Sequence, residues 1–308
     1  MPTFIFSQSI VIEVNQLFQQ KQFVKAEEIT SSYVLQNPND LKVIELLGDA
    51  YGHQKKWDEA IKQYKKLVET SKNNANYHYK YGGALGMKAL EVNKFKALGM
   101  IGDVKEAFLK AAELDPEHIE ARWALVELYM QLPGIIGGSK KKSLKYADEL
   151  EQFSRVDGYL AKGYIYEYDK ESKLAETFYK KAIEVGGSLT CYDKLTNLYE
   201  TEKEPQKAIA NIEEAYEKHN KNHLNYQIGK VCADYNIELK KGEQCLKKYI
   251  DNHSVKDGVP IEWAYLRLAQ IQINRNNKTE ALNWIDKALD IRADFKQAKE
   301  ERKKILSL

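Results

Sequence analysis

Small residues return along this chain at a spacing close to 34, and that period constrains the fold more than any other feature. Ala26 and Ala60 lie 34 apart, and Ala175, Ala208 and Gly242 follow one another at 33 and 34. Val104 holds the same place ahead of FLKAAELDP, and Ala281 holds it in ALNWIDKALDI. The stretch Leu41 to Ser71 shows what is being repeated. Its apolar residues Ile44, Leu47 and Tyr51, then Trp57, Ile61, Tyr64, Leu67 and Val68, recur at helical spacing on either side of a polar break at Gln54 to Lys56. Two amphipathic helices joined by a turn are predicted, with Gly48 and Ala60 placed where two helix backbones can approach closely.

The residues Ile44, Leu47-Gly48, Tyr51, Ala60 and Tyr64 match the pattern of the tetratricopeptide repeat, which this stretch resembles. The Leu-Gly step returns as Tyr81-Gly82, Lys162-Gly163, Ile228-Gly229 and Leu268-Ala269. With the less regular unit around Leu125 and Tyr129, eight helix pairs are expected. The resemblance implies an all-α fold, an α-α superhelix forming one continuous solenoid over residues 9–293. Residues 294–308 read as a terminal capping helix, largely charged with a thin apolar edge, because its outer face meets water.

Composition removes several alternatives. A net charge of +2 gives no concentrated basic surface, so neither nucleic acid nor a membrane is an expected partner. No run of 18 apolar residues is present, so no membrane-spanning segment is predicted. Cys191, Cys232 and Cys245 form no Cys-x-x-Cys and read as buried thiols. Cys232 and Cys245 lie on the two helices of one repeat, so a bridge between them in an oxidising compartment is the alternative. The first eight residues, MPTFIFSQ, place an apolar run before a helix expected to start near Ser9. The run resembles the end of a secretory signal, which would make the protein exported; the alternatives are an apolar N-terminal cap and a cytoplasmic location.

Two segments depart from the period. From Ala60 to Val104 the distance is 44, and Leu90, Val92, Phe95 and Leu98 predict that the extra ten residues are helical and packed. In the fourth unit LPGIIGGSKKKS follows a helix; Pro133-Gly134 should stop that helix and Ser139 should cap the next. A phosphate-binding loop is the competing reading of Gly137 to Lys140, but Ser139 stands where such a loop needs its second glycine and a helix precedes it where a strand is required. From Asn76 to Leu150 these segments resemble a group of bacterial tetratricopeptide proteins, many of them exported, with a Pro-Gly-Ile-x-Gly-Gly turn. That resemblance brings no catalytic residues.

In this repeat type the first helix of each pair lines the concave surface. The register puts Glu45, Asp49, Tyr79, Trp123, Glu127, Tyr164, Glu167, Tyr168, Asp193, Asn197, Glu200, Tyr226, Lys230 and Trp263 there, an acidic and aromatic wall. Lysines such as Lys62, Lys65, Lys66, Lys140, Lys141, Lys142, Lys247 and Lys248 fall on second helices. The Lys/Asn clamp by which some members of the family hold a C-terminal carboxylate is not reproduced. His219 and His223 make an i,i+4 pair with no third ligand, so no metal is expected, and no catalytic residue or cofactor site is found. The expectation is a non-enzymatic scaffold for a basic or neutral protein or peptide segment centred on Trp123, Tyr164 and Tyr168 and flanked by Glu127 and Glu167. The alternative is a nucleotide-binding or enzymatic protein using the Gly137-Lys140 turn.

Overall fold

The structure is a computed structural model that describes residues 2–307, with side chains from residue 8 onward. Among the described residues it contains seventeen α-helices, two short 3-10 turns and no strand. The sequence led us to expect one continuous stack. Contacts gather the chain into two compact units, Met1–Ala161 and Lys162–Leu308.

The first unit holds four helix pairs: α1 (Pro2–Gln19) with α2 (Phe23–Gln36), α3 (Leu41–His53) with α4 (Trp57–Thr70), α5 (Ala75–Glu91) with α6 (Lys94–Leu114), and α7 (Ile119–Gln131) with α8 (Lys140–Phe153). Helix α9 (Arg155–Tyr168) begins in this unit and ends in the second. The helix expected to start near Ser9 starts at Pro2, so Phe4 to Phe6 belong to it. The side chains of the first seven residues lie outside the described residues, and with them the choice between a signal remnant and a cap.

Polar side chains fix where these helices start. Asp40, Asn74, Asn93 and Ser139 each accept the backbone N–H three residues on, at 3.1–3.3 Å, satisfying a donor that the helix itself cannot. The ten extra residues of the third pair are helical: α5 has 17 residues and α6 has 21, against 13 and 14 in α3 and α4. Their apolar side chains do not pack as expected, since Leu90 is 74% and Phe95 88% exposed, and Leu98 and Met87 are exposed as well.

The second unit continues with α10 (Ser172–Val185), α11 (Leu189–Thr201) and α12 (Pro205–His219), α13 (Asn222–Tyr235) and α14 (Leu239–Asp251), α15 (Ile261–Asn274) and α16 (Lys278–Ile291), and the last helix α17 (Lys296–Ser307). Pro205 opens α12, where its missing N–H costs nothing. Phe295, Ala298 and Ile305 are buried against α15 and α16, which is the apolar edge expected of the last helix.

The period-setting residues are core residues. Ala26, Ala60, Ala175, Ala208 and Ala281 are fully buried and Val104 nearly so. The close approach at Gly48 differs in kind from the expectation: it admits a ring rather than a second backbone. A Cβ on Gly48 would stand 2.5 Å from Cε1 of Tyr64, and one on Gly163 would stand 2.3 Å from Cε1 of Tyr179. In both pairs the tyrosine lies 16 residues after the glycine. At Gly82 the neighbouring ring is Phe108, 26 residues on, which is the same place once the ten-residue extension is allowed for.

All three cysteines are free. Burial pushes the Cys232 thiol up to about 12 and raises that of Cys245. At pH 8 Cys232 should therefore be thiolate in only about 1 molecule in 10,000, and its reaction with a disulfide reagent should run roughly a thousandfold slower than that of a free thiol. Stopped-flow thiol titration checks this; labelling of native Cys232 at the free-thiol rate would show that the packing of α13 on α14 is wrong.

Candidate functional site

In the first unit the first-helix face is organised by a cation that the sequence reading passed over. Lys80 Nζ on α5 lies 2.7 Å from both Glu45 Oε1 and Asp49 Oδ2 on α3. Glu45 also holds Lys42 at 3.2 Å and accepts Asn76 Nδ2 at 2.8 Å, while Tyr64 OH reaches past Gly48 to donate to Asp49 at 2.7 Å. Burial pushes the Glu45 carboxyl up, but Lys80 and Lys42 outweigh it and hold the group below the ordinary carboxylate range. Burial likewise pushes Lys80 down, and the two carboxylates outweigh it and hold its ammonium above the usual lysine value. Glu45 is itself buried, so it is a structural anchor and not the groove residue the register suggested.

The other first-unit candidates are Tyr79, Trp123 and Glu127. Tyr79 is half-buried, its ring 5.2 Å from that of His118 and 6.1 Å from that of Phe108. Burial raises its hydroxyl pKa, with Glu120 and Glu127 adding to the shift, so these acids stand within electrostatic range of the ring. Trp123 is half-buried and its indole Nε1–H donates to Asp157 Oδ1 at 3.0 Å. Glu127 is exposed.

In the second unit Tyr164 and Tyr168 lie one helical turn apart on α9, ring centroids 6.1 Å apart. Between them in sequence, Glu167 accepts the hydroxyl of Tyr179 at 2.5 Å, the same device as Tyr64 and Asp49. Tyr168 is 50% exposed. Asn197 is exposed on the next first helix, α11. Farther along, the acids are tied into a ladder from one first helix to the next: Glu200 on α11 to Lys230 on α13 at 2.7 Å, and Asp234 on α13 to Arg267 on α15. Asp193 accepts Gln227 at 3.4 Å. One residue assigned to the wall is core instead, and another is half-buried against the last helix's cluster. Tyr226 is buried against Tyr249, ring centroids 5.5 Å apart, and Trp263 packs edge-on to Phe295 at 4.7 Å.

The wall is therefore less acidic than expected, because Lys80, Lys230 and Arg267 each stand on the first helix that follows the one carrying their acid partner. A signal for this exists in the sequence. The linked partners are 30, 31 and 33 residues apart, close to one repeat, as are Trp123 and Asp157 at 34. Second-helix lysines are also partly engaged: Lys247 pairs with Glu243 at 2.7 Å and Lys248 sits over the Tyr216 ring. His219 Nε2 lies 2.7 Å from the carbonyl oxygen of Gly187, so the ring is held by the backbone.

The Gly137-Lys140 turn does not present a phosphate cradle. The N–H of Gly137 donates to Gly134, that of Gly138 to Pro133 and that of Ser139 to Tyr129, so these amides are already used. Gly137 is left-handed at φ 105°, and a Cβ on Gly138 would overlap the Leu132 carbonyl oxygen. Both glycines serve a tight connection between α7 and α8.

Family models match at three places. A model described as TPR repeat covers residues 48–88, and one described as tetratricopeptide repeat covers residues 156–185 and 264–295. These three stretches are tetratricopeptide repeats. Among solved structures, a tetratricopeptide repeat protein from Parabacteroides merdae is similar with a TM-score of 0.51 at 15% identity, covering 97% of this chain and 98% of that one. YrrB, described as a TPR protein with an unusual peptide-binding site, gives 0.44 at 20% identity over 65% of this chain and 99% of its own. A thermophilic TPR protein of Thermus thermophilus gives 0.45 at 15% identity over 73% and 97%. No curated protein matches the sequence. Repeats of this family support a protein-interaction scaffold, and among the described residues no helix is long and apolar enough to cross a membrane.

Proposed function

We propose that this tetratricopeptide-repeat protein is a non-enzymatic scaffold that holds a peptide or protein segment against its first-helix faces. The observation that carries the proposal is the Tyr164–Tyr168 pair, with Glu167 fixed between them in sequence by the Tyr179 hydroxyl. A pre-oriented carboxylate beside aromatic faces suits a Lys or Arg side chain. Each cation held over a ring is worth about 0.5–2 kcal/mol depending on desolvation. The proposed ligand is a basic or neutral extended or helical segment, with Asn197 on the adjacent helix offering amide hydrogen bonds to its backbone. Tyr79, Trp123 and Glu127 form a separate candidate face in the first unit.

Affinity capture from an extract of the source cells tests this, comparing the intact protein with Tyr164→Ala/Tyr168→Ala and, separately, Trp123→Ala. Central aromatics dominate interfaces, so recovery of the specific partner should fall about tenfold or more in the tyrosine variant. Equal recovery by all three proteins would remove the first-helix faces from consideration. Export belongs to the same proposal and rests on the apolar run at Phe4 to Phe6 and the resemblance to exported relatives. Cell fractionation that finds the protein in the cytoplasm would overturn it.

A further inference from the structure

Both departures from the repeat period come out at one edge of the first unit. One apolar cluster takes in Leu85, Val104 and Tyr129 with Met100 and Leu128 packed against it, so the end of α7 lies beside the turn-side half of α6. The α5–α6 and α7–α8 turns are therefore neighbours. All the surplus length of the third pair is on this side: α6 starts 14 residues before Phe108, whereas α4 starts seven before Tyr64, so its turn stands about 10 Å farther out. Phe95 and Leu90 project into solvent at that tip, and Ile135 in the adjoining turn is 96% exposed. Lysines surround these apolar tips. Residues 88–98 carry three lysines against Glu91, and residues 131–142 carry three lysines and no acid, which gathers +5 on two adjoining turns of a chain whose whole charge is +2. Net charge conceals this concentration, because it averages the edge with everything else. Lys94, Lys96 and Lys141 are exposed, and none of them pairs with an acid among the described residues.

We infer that this edge is a peripheral membrane-binding surface for an anionic lipid bilayer, with Phe95, Leu90 and Ile135 entering the acyl boundary and the lysines meeting the headgroups. Apolar tips ringed by lysine are what such an interface rewards, since binding grows with the apolar area buried and with attraction to anionic lipid. Lysine stems can lie along the tips while their ammonium groups stay at headgroup level. The turns also satisfy much of their own backbone, as a segment entering lipid must. Val92 N–H donates to the Lys88 carbonyl and Lys96 N–H to the Asn93 side chain; Ile136 and Gly138 N–H donate to the Pro133 carbonyl and Gly137 N–H to that of Gly134. Other occupants fit less well. A second copy meeting the same edge would set lysine against lysine. A nucleic acid would engage the lysines but leave Leu90 and Ile135, which cannot stack on a base, in water. The inference does not rest on the binding faces proposed above.

Co-sedimentation of the full chain with lipid vesicles tests it, using phosphatidylcholine alone and phosphatidylcholine mixed with phosphatidylglycerol. The expected result is binding to the mixed vesicles only, weakened as salt screens the headgroup charge. Phe95→Ser/Ile135→Ser should lower the partition coefficient at least about tenfold by removing the apolar contact. Lys94→Glu/Lys96→Glu should lower it at least about tenfold by reversing charge at the tip. Leu35→Ser is the control, since Leu35 is just as exposed but stands at the end of α2, on the opposite edge, and it should leave binding unchanged. Circular dichroism should be the same for all of them, because every substituted side chain is exposed. No binding to the mixed vesicles, equal binding to both compositions, or undiminished binding by either tip variant would each overturn the assignment. A chain that ignores the vesicles but captures an acidic protein or a nucleic acid through the same lysines would give the edge to that partner instead.

Discussion

Tyr179→Ala is expected to lower the unfolding free energy by about 3–5 kcal/mol, the range for removing a large buried ring. The ring is fully buried, lies where Gly163 lacks a Cβ, and ends in a hydroxyl that donates to Glu167. Tyr179→Phe keeps the ring and loses only a hydrogen bond to a charged group, so it should cost about 1.5–3 kcal/mol. Gly163→Ala separates packing from backbone effects. Its methyl would meet the ring at 2.3 Å, which costs roughly 1–3 kcal/mol of overpacking against about 1 kcal/mol gained in helix propensity. In a Tyr179→Ala background the clash is gone, and the same Gly163→Ala should become neutral or stabilising. Urea midpoints for the four proteins decide this, and a Gly163→Ala cost that is the same in both backgrounds would contradict the packing. Burial, with Glu167 adding to it, raises the Tyr179 hydroxyl above its ordinary value of 10.0. Its contribution is therefore whole below about pH 10 and is lost as pH rises further, and Tyr179→Phe should lack that alkaline loss.

The device at Gly163 shows what could be read from the residues and what could not. A small residue recurring every 33 or 34 positions announces a close approach between helices, and the buried alanines follow directly from it. That the group approaching Gly163 is a tyrosine whose hydroxyl emerges beside a first-helix carboxylate depends on two helices at once, and helical periodicity describes one. The same limit explains Tyr226 and Trp263. Periodicity assigns each residue a side of its own helix, but an inner first helix is packed by neighbours on several sides: eight of the fourteen residues of α13 are buried. Little circumference remains for a binding face, so aromatics assigned to it by register are more often filling the space between repeats. At the α5–α6 extension the failure runs the other way. Apolar residues at helical spacing predicted packing, yet the hairpin outgrows α4, whose 14 residues cannot cover a 21-residue helix.

Lys80→Met should be the most damaging single change at the first-helix face of the first unit. The variant leaves Glu45, with 8% of its side chain exposed, without its main cation and takes one partner from Asp49. Removing one member of a fully buried ion pair costs about 3–5 kcal/mol; Lys80 is 21% exposed, and Lys42 and Asn76 still reach Glu45, so about 2–4 kcal/mol is expected. The pH dependence carries the sign of the mechanism. In the intact protein the Glu45 pKa is held below 4.5, so its contribution is present above that value and lost as pH falls through the folded pKa. Lys80 is held above 10.5, so its own contribution is whole below that pH and lost only as pH rises through the folded value. Without Lys80, burial acts on Glu45 with less opposition and its pKa rises, so the carboxyl takes up a proton on mild acidification and sheds its buried charge. The deficit of Lys80→Met relative to the intact protein should therefore shrink between pH 7 and pH 4. Lys80→Met/Glu45→Gln should recover part of the loss at pH 7, because the stranded charge is gone. Thermal unfolding of the three proteins across that pH range provides the measurement. A deficit that is flat with pH, or a double variant no better than Lys80→Met, would mean that the lysine acts through its packed methylene stem and that the charges at Glu45 and Asp49 are held by water instead.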